Sequence, residues 1–152
     1  MPVPFDPEIV LRRPLMAHLA TQGADGPRTS PVWFLWEEGA VWMLGAEGSS
    51  STERLMQHPA CAVDIVDFDV DRGILLHLGL RGHADVLPKD PARFRRLLAK
   101  YLGPDEAQWN TWFVEQVADV ENDENRFLRL VPESIFTNNV SYFRTGPDRI
   151  DP

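Results

Sequence analysis

The sequence predicts a mainly β (α+β) fold, an antiparallel barrel with helices at its ends, built as one domain over residues 1–152. Short segments rich in β-branched and aromatic residues follow one another, separated by glycine, proline and aspartate turn signals. Helical periodicity is confined to one short segment and one later pair, so strands and helices do not alternate as in a Rossmann fold. The 152 residues suffice for one hydrophobic core, which we expect over about residues 8–145.

Three strands are predicted in the first third of the chain. Residues 15–21 form a short apolar run that stops at a glycine-rich turn. Residues 27–37 are rich in β-branched and aromatic side chains, and residues 40–45 return as their partner strand. Glu38 and Gly39 supply a tight turn between these two strands.

This turn sets the register of the predicted hairpin, with Glu37 opposite Ala40. Alternation then divides the side chains into two faces, with Trp33, Leu35, Trp42 and Leu44 on one and Phe34, Trp36, Val41 and Met43 on the other. Because aromatic residues occupy both faces, we expect a central hairpin that is covered on both sides.

A short helix and a long hairpin are predicted next. Residues 52–58 fit a helix with Ser51 as its N-cap, ending before a proline. Residues 60–68 and 74–87 fit two strands joined by a polar turn. Glycines 79 and 82 in the second strand indicate bulges or a close approach of another backbone.

The last third predicts a helix pair and then two strands. Residues 90–101 carry one apolar stripe, formed by Phe94, Leu97, Leu98 and Tyr101. Residues 105–120 carry a second stripe, rich in aromatic residues. Residues 126–131 and 135–144 are predicted to be the closing strands.

Composition limits the partners that the chain can have. The net charge is −8, from 15 basic and 23 acidic residues, and such a surface repels nucleic acid and anionic lipid. The apolar runs are too short to span a membrane, and residues 1–7 lack the pattern of a signal peptide. We therefore expect a cytoplasmic protein that binds neither nucleic acid nor membrane.

Several reactive residue types are predicted to be structural. Cys61, the one cysteine, lies in an apolar run and is expected in the core. His77 and His83 lie about 20 Å apart along one predicted strand, too far to share a metal ion. The basic cluster of the first long helix is expected to be a solvated face; it consists of Arg93, Arg95, Arg96 and Lys100.

The most informative polar segment spans residues 48–54, with the sequence GSSSTER. Its consecutive hydroxyls, Ser49, Ser50, Ser51 and Thr52, stand where a helix begins. Helix N-termini present free N–H groups that bind phosphate, and Arg54 could add a full charge. A capped loop without a ligand is the alternative interpretation, because serine and threonine caps are common.

A second candidate is the segment Arg28, Thr29, Ser30, Pro31, Val32 and Trp33. Pro31 cannot donate a ladder hydrogen bond, so it should lie where the edge of the strand is open. An open backbone edge beside aromatic residues suits a flat heteroaromatic ring. Trp33 as a core residue explains the same pattern equally well.

In this order, the two segments resemble the pyridoxamine 5′-phosphate oxidase-like family. The matching features are a strand end, a turn, a strand, a hairpin, the serine-rich segment and a short helix. Their residues are Ala20-Thr21, Asp25-Gly26-Pro27, Ser30-Pro31-Val32-Trp33-Phe34, then Leu55 and Pro59 followed by Ala62-Val63. Gly82-His83-Ala84 matches the next long strand, and the similarity is strongest over residues 15–86.

The resemblance implies a split barrel that forms a homodimer, with FMN in a cleft between the subunits. By position, residues 28–33 would line the isoalloxazine ring and ribityl chain. Leu44, Gly45 and Ala46, with Ser49, Ser50, Ser51 and Thr52, would approach the phosphate. Some relatives use the deazaflavin F420 and a few bind haem.

One departure from the family pattern separates the functional hypotheses. The family commonly has a lysine at the position of Ser51, so a phosphate dianion loses one charge-assisted contact here. The first hypothesis is an FMN-dependent oxidoreductase of unidentified substrate, with no catalytic side chain named. The alternatives are an F420-dependent reductase and a non-catalytic ligand-binding or interaction protein. Asn138, Asn139 and Tyr142 are candidates to complete the site from a partner subunit.

Overall fold

The structure is a computed structural model and describes residues 1–118 and 124–141. Its strands are β1 (Ala17–Thr21), β2 (Arg28–Val32), β3 (Phe34–Glu37), β4 (Ala40–Ala46), β5 (Ala60–Asp69), β6 (Ile74–Pro88) and β7 (Asn125–Asn139). Its helices are α1 (Glu8–Leu11), α2 (Ser50–Gln57), α3 (Pro91–Leu102) and α4 (Thr111–Ala118), with a 3-10 turn at Glu106–Gln108. No helix in these residues is long and apolar enough to cross a membrane.

The seven strands form one antiparallel sheet in the order β2-β1-β5-β6-β7-β4-β3. Its two edge strands, β2 and β3, are consecutive in the chain and separated only by Trp33. Because one residue joins the two edges, the sheet must curl until they meet. The predicted α+β split barrel is therefore confirmed.

Two hydrophobic clusters lie on opposite faces of this curled sheet. The barrel interior holds the larger cluster, with Leu19, Phe34, Met43, Ile65, Leu78 and Leu80 fully buried. The second cluster packs α3 and α4 against β4, and includes Trp42, Phe94, Leu97, Trp109 and Phe127. The β3–β4 hairpin therefore carries apolar side chains on both faces, as predicted.

The predicted register of this hairpin is confirmed. Glu37 pairs with Ala40, and Phe34 pairs with Met43. Both turn residues have positive φ, 56° at Glu38 and 69° at Gly39, which is the geometry that two-residue hairpin turns require.

The prediction of one strand over residues 27–37 is wrong. β2 pairs with β1, whereas β3 pairs with β4 at the other edge of the sheet. The chain leaves the ladder at Trp33, immediately after Pro31-Val32. Alternation of side chains continues through this point, so the local pattern contains no sign of the break.

The predicted separation of the last two strands is also wrong, because β7 is continuous from Asn125 to Asn139. Pro132 pairs with Gly82 beside a shift of register, because Arg81 pairs with Ser134 and Glu133 is the extra residue; this bulge accommodates the proline. A Cβ atom at Gly82 would lie 2.8 Å from the carbonyl oxygen of Val131, which explains the glycine. Residues 142–144 of the predicted strand lie outside the described residues.

Two helices begin at other residues than predicted, because different side chains cap their N-termini. Ser49, not Ser51, is the N-cap of α2, because its extended backbone lets Oγ accept from the N–H of Thr52. The predicted helix 105–120 is divided at Asn110, whose Oδ1 accepts from the N–H of Trp112 and starts α4. Residues 119 and 120 lie outside the described residues.

The basic cluster of α3 is only partly a solvated face. Arg95 and Arg96 are about half exposed, as predicted. Arg93 contradicts the prediction, since its side chain is 12% exposed, lies 3.5 Å above the ring centroid of Trp42 and pairs with Glu37. Lys100 contradicts it too, because it is half-buried and its Nζ donates to the backbone carbonyls of Leu11 and Phe34.

Candidate functional site

The β2 edge strand presents the first candidate segment with alternating orientation. Arg28, Ser30 and Val32 pair with Thr21, Leu19 and Ala17, which are buried on the inner face. Thr29 and Pro31 alternate with them and are exposed on the outer face. A single ligand on either face would therefore contact only part of the segment, unless it lay along the strand edge.

The first turn of α2 packs directly against the end of β4. A Cβ atom at Gly45 would lie 2.6 Å from Oγ1 of Thr52, so only glycine lets the helix approach this closely. Ser49 Oγ lies 2.9 Å from Thr52 Oγ1, and Thr52 is buried. These two hydroxyls hold the helix start. Ala46 and Ser50 are exposed, and Leu44 and Ser51 are half-buried.

A single contact joins the two candidate segments. Arg28 donates from Nη1 to the hydroxyl of Ser50 over 3.1 Å. The side chain of Arg28 is 55% exposed, so its guanidinium stands beside the helix start and in contact with solvent. The N–H groups of Ser50 and Ser51 have no acceptor within α2, because they belong to its first turn.

Arg54 faces away from this exposed position. Its guanidinium donates to the Thr21 hydroxyl over 3.0 Å, to the Thr21 carbonyl over 3.3 Å and to the carbonyl of Gly26. Only 10% of its side chain is exposed. Arg54 therefore ties α2 to the β1–β2 turn, and the geometry favours Arg28 as the cation that a ligand meets.

Asp25 lies between these two arginines. Its carboxylate accepts from Nη1 of Arg54 over 2.6 Å and from Nη2 of Arg28. The hydrogen bonds from Arg54, and then from Arg28, hold the pKa of Asp25 below its usual range. The sequence analysis placed Asp25 in the turn that resembles the family pattern, but did not select it as a site residue.

Trp33 stacks with two aromatic rings. Its ring centroid is 4.5 Å from that of Tyr101, nearly parallel at 5°, and 5.8 Å from that of Phe113 at 19°. The indole is half-buried and packs with the second cluster. This arrangement favours the core interpretation of Trp33 over stacking on a ligand.

Lys100 lies near this aromatic stack, with its Nζ 5.5 Å from the ring centroid of Tyr101. The sequence analysis did not identify it as a buried lysine. Its Nζ donates to the carbonyls of Leu11 and Phe34 over 3.0 and 3.1 Å, and lies 3.4 Å from the ring centroid of Phe34. Burial lowers its pKa to about 7. The available signal was its spacing of three residues from Leu97, which places it beside the apolar stripe.

The outer face of β5, β6 and β7 forms a shallow groove of about 430 Å³. His77 pairs there with Asp64 and packs edge-on against Phe136, which is 44% exposed. Gly79 leaves the floor of the groove without a side chain. Arg81 and Ser134 complete the polar lining.

The three residues considered for completing the site differ in placement. Asn138 accepts from the N–H of Val3 over 2.9 Å, and the N–H of Asn139 donates to the Val3 carbonyl over 2.7 Å. These contacts hold the N-terminal segment against the end of β7. Tyr142 lies outside the described residues.

Fold and site together define a split barrel with a cationic, hydroxyl-rich helix start beside an open sheet edge. The sequence profile of the pyridoxamine 5′-phosphate oxidase family matches residues 8–139. The chain therefore belongs to the pyridoxamine 5′-phosphate oxidase family. No curated protein matches it.

Solved structures share the fold over nearly the whole chain. An F420 reductase is 25% identical, with a TM-score of 0.66 over 88% of this chain and 98% of that one. A conserved hypothetical protein from Mycobacterium tuberculosis is 20% identical, with a TM-score of 0.72 over 96% and 94%. An FAD-binding protein from Mesorhizobium loti is 14% identical, with a TM-score of 0.60 over 88% and 91%.

Proposed function

We propose that this protein binds a flavin-type cofactor, FMN or the deazaflavin F420, and acts as an oxidoreductase on a small molecule. The observation that carries the proposal is the contact between Arg28 and Ser50, which joins the edge strand β2 to the first turn of α2. Family membership and the likeness to an F420 reductase support it.

The residues at this position fit a cofactor phosphate. Arg28 supplies a guanidinium, Ser50 a hydroxyl, and the first turn of α2 supplies N–H groups with a partial positive charge. Ser49 and Thr52 shape the turn, and Gly45 lets it approach β4. Arg54 would not contact the phosphate; it fixes the β1–β2 turn that carries Asp25.

The heteroaromatic ring would lie along the free edge of β2, beside Ser30, Pro31 and Val32. An edge strand has unpaired backbone groups, which can donate to and accept from the polar edge of such a ring. The bound cofactor would supply the hydride and electron transfer. The protein would orient the ring and exclude water from it.

A second copy of the chain would close this cleft. The outer face of β5 to β7 exposes Phe68 and Phe136, which are 66% and 44% exposed. Such apolar exposure on a sheet face suits a protein interface. We therefore extend the proposal to a homodimer with cofactor between the subunits.

The absorption spectrum of the purified protein tests the proposal, with mass identification of any bound cofactor. We expect a flavin or deazaflavin band, either as isolated or after FMN or F420 is added and the excess removed. A colourless protein that takes up neither cofactor would contradict the proposal and favour the non-catalytic alternative.

A further inference from the structure

Three charged side chains, two positive and one negative, set the net charge at the proposed phosphate position. Asp25 bridges Arg28 and Arg54, so two positive charges and one negative charge stand together. Asp25 and Arg28 are each about half exposed, whereas Arg54 is nearly buried. The formal sum is therefore a single positive charge.

Neighbouring residues do not raise this sum. Glu53, in the first turn of α2, is exposed and acidic. Glu47, just before that helix, pairs with Arg126 over 3.2 Å. Ser51 contributes a hydroxyl where a lysine would have added a second accessible cation.

The ionisation of a phosphate ester decides which ligand such a position suits. A phosphomonoester carries about −1.5 to −2 charges at pH 7, because its second pKa is about 6. A phosphodiester carries one negative charge at the same pH. A dianion beside Arg28 would also face the carboxylate of Asp25, which is held ionised by two arginines.

We infer that Asp25 makes this position selective for a phosphodiester monoanion over a phosphomonoester dianion. The inference rests on the proposed function, and it assigns Asp25 as the residue that determines cofactor class. Among flavin-type cofactors it favours F420, whose phosphate is a diester, over FMN, whose phosphate is a monoester.

Three ligands with the same ring and ribityl chain, which differ only in the phosphate group, measure the effect of phosphate charge on affinity. They are riboflavin, FMN, and the methyl ester of FMN, in which the monoester has become a diester. Their dissociation constants at pH 7.5 would be measured by fluorescence titration. For the wild-type protein we expect the methyl ester to bind about tenfold more tightly than riboflavin and more tightly than FMN.

Two variants change the charge in independent ways. Asp25→Asn removes the negative charge, and its amide oxygen can still accept from Arg54. Ser51→Lys adds a positive charge without touching the Asp25 contacts. In each variant we expect the affinity for FMN to rise about tenfold and to overtake that for the methyl ester, while riboflavin binding stays unchanged.

A matched control places the same charge change elsewhere. Asp71 is exposed in the turn between β5 and β6. This turn is about 20 Å along β5 from Ala62, near the end of β1 that carries Thr21 and its partner Arg28. Asp71→Asn should leave all three dissociation constants within about twofold of wild type, because exposed charges at that distance are screened. Thermal melting of each variant confirms that it folds.

The outcomes separate the inference from the proposal on which it rests. A wild-type protein that binds FMN more tightly than the methyl ester overturns the inference alone. So does an Asp25→Asn variant that strengthens both phosphate ligands equally. If wild type and variants bind none of the three ligands and no F420, the proposed function fails and the inference fails with it.

Discussion

Arg54 carries the densest set of contacts around the candidate site. Its guanidinium is hydrogen-bonded to Thr21, Asp25 and Gly26 and packs against Gly23. A Cβ atom at Gly23 would lie 2.8 Å from Cζ of Arg54, so the glycine is required by packing against a charged group. This arginine fixes the turn from which Asp25 and Arg28 project.

We therefore predict that Gly23→Ala destabilises the protein by about 1–3 kcal/mol, the range typical of overpacking a filled site. Urea denaturation of the two single variants and of the Gly23→Ala/Arg54→Met double variant measures it. Because Arg54→Met removes the colliding group, the cost of Gly23→Ala should be smaller in that background. Equal cost in both backgrounds would show that Arg54 is not the cause.

Some residue roles could be predicted from the sequence and others could not. The register of Glu37 and Ala40 followed from turn chemistry and alternation, which act over a few residues. The N-cap of α2 was misplaced because three consecutive serines are locally equivalent, and only the backbone at Ser49 decides between them. The role of Asp25 depends on Arg54, 29 residues away.

At the scale of elements, α3 is joined to the barrel through polar contacts as well as apolar ones. Lys100 bridges the carbonyls of Leu11 in α1 and Phe34 in β3, and Tyr101 donates to the Leu15 carbonyl over 2.8 Å. A neutral amine retains two N–H donors, enough for both carbonyls. The lowered pKa and the bonding geometry are therefore compatible.

The pKa of Lys100 predicts a pH-dependent stability. Its folded value of about 7 lies below its ordinary value of 10.5, so the unfolded chain binds more protons between these values. The contribution of Lys100 to stability should therefore rise with pH across this window. The difference in unfolding free energy between wild type and Lys100→Met, measured from pH 7 to 9.5, should increase in favour of wild type. A difference that is independent of pH would contradict the assignment.

The points at which strands begin and end could be predicted from the sequence only in part. The existence of β5, β6 and α3 followed from apolar periodicity. The break at Trp33 between β2 and β3 did not, because it is decided by which edge of the sheet each half joins. The continuity of β7 through Pro132 likewise depends on the bulge opposite Gly82.

In the molecule as a whole, the N-terminal segment is bound to the end of β7. Val3 exchanges hydrogen bonds with Asn138 and Asn139, where β7 extends beyond its pairing with β4. The outer face of β5 to β7 remains exposed around the His77–Asp64 pair and Phe136. This face is where the proposed homodimer would form.

The homodimer predicts a specific effect of charge on this face. Phe136→Asp should convert the protein to a monomer in light scattering coupled to size exclusion, because it places a carboxylate in an apolar contact. Val114→Asp, on the exposed side of α4, is the control and should leave the mass unchanged. A wild-type protein that is monomeric at all concentrations, or a Phe136→Asp dimer, would argue against this interface.

The most direct test of the central claim is cofactor titration of wild type and Arg28→Met. Arg72→Met, in the exposed turn before β6, serves as the control. A flavin-type cofactor should bind wild type and the control alike. Arg28→Met should weaken FMN, its methyl ester and F420 about tenfold while leaving riboflavin unchanged, because one charge-assisted contact to phosphate is lost. Wild-type protein that binds no flavin or deazaflavin, or an Arg28→Met variant with unchanged affinities, would contradict the account.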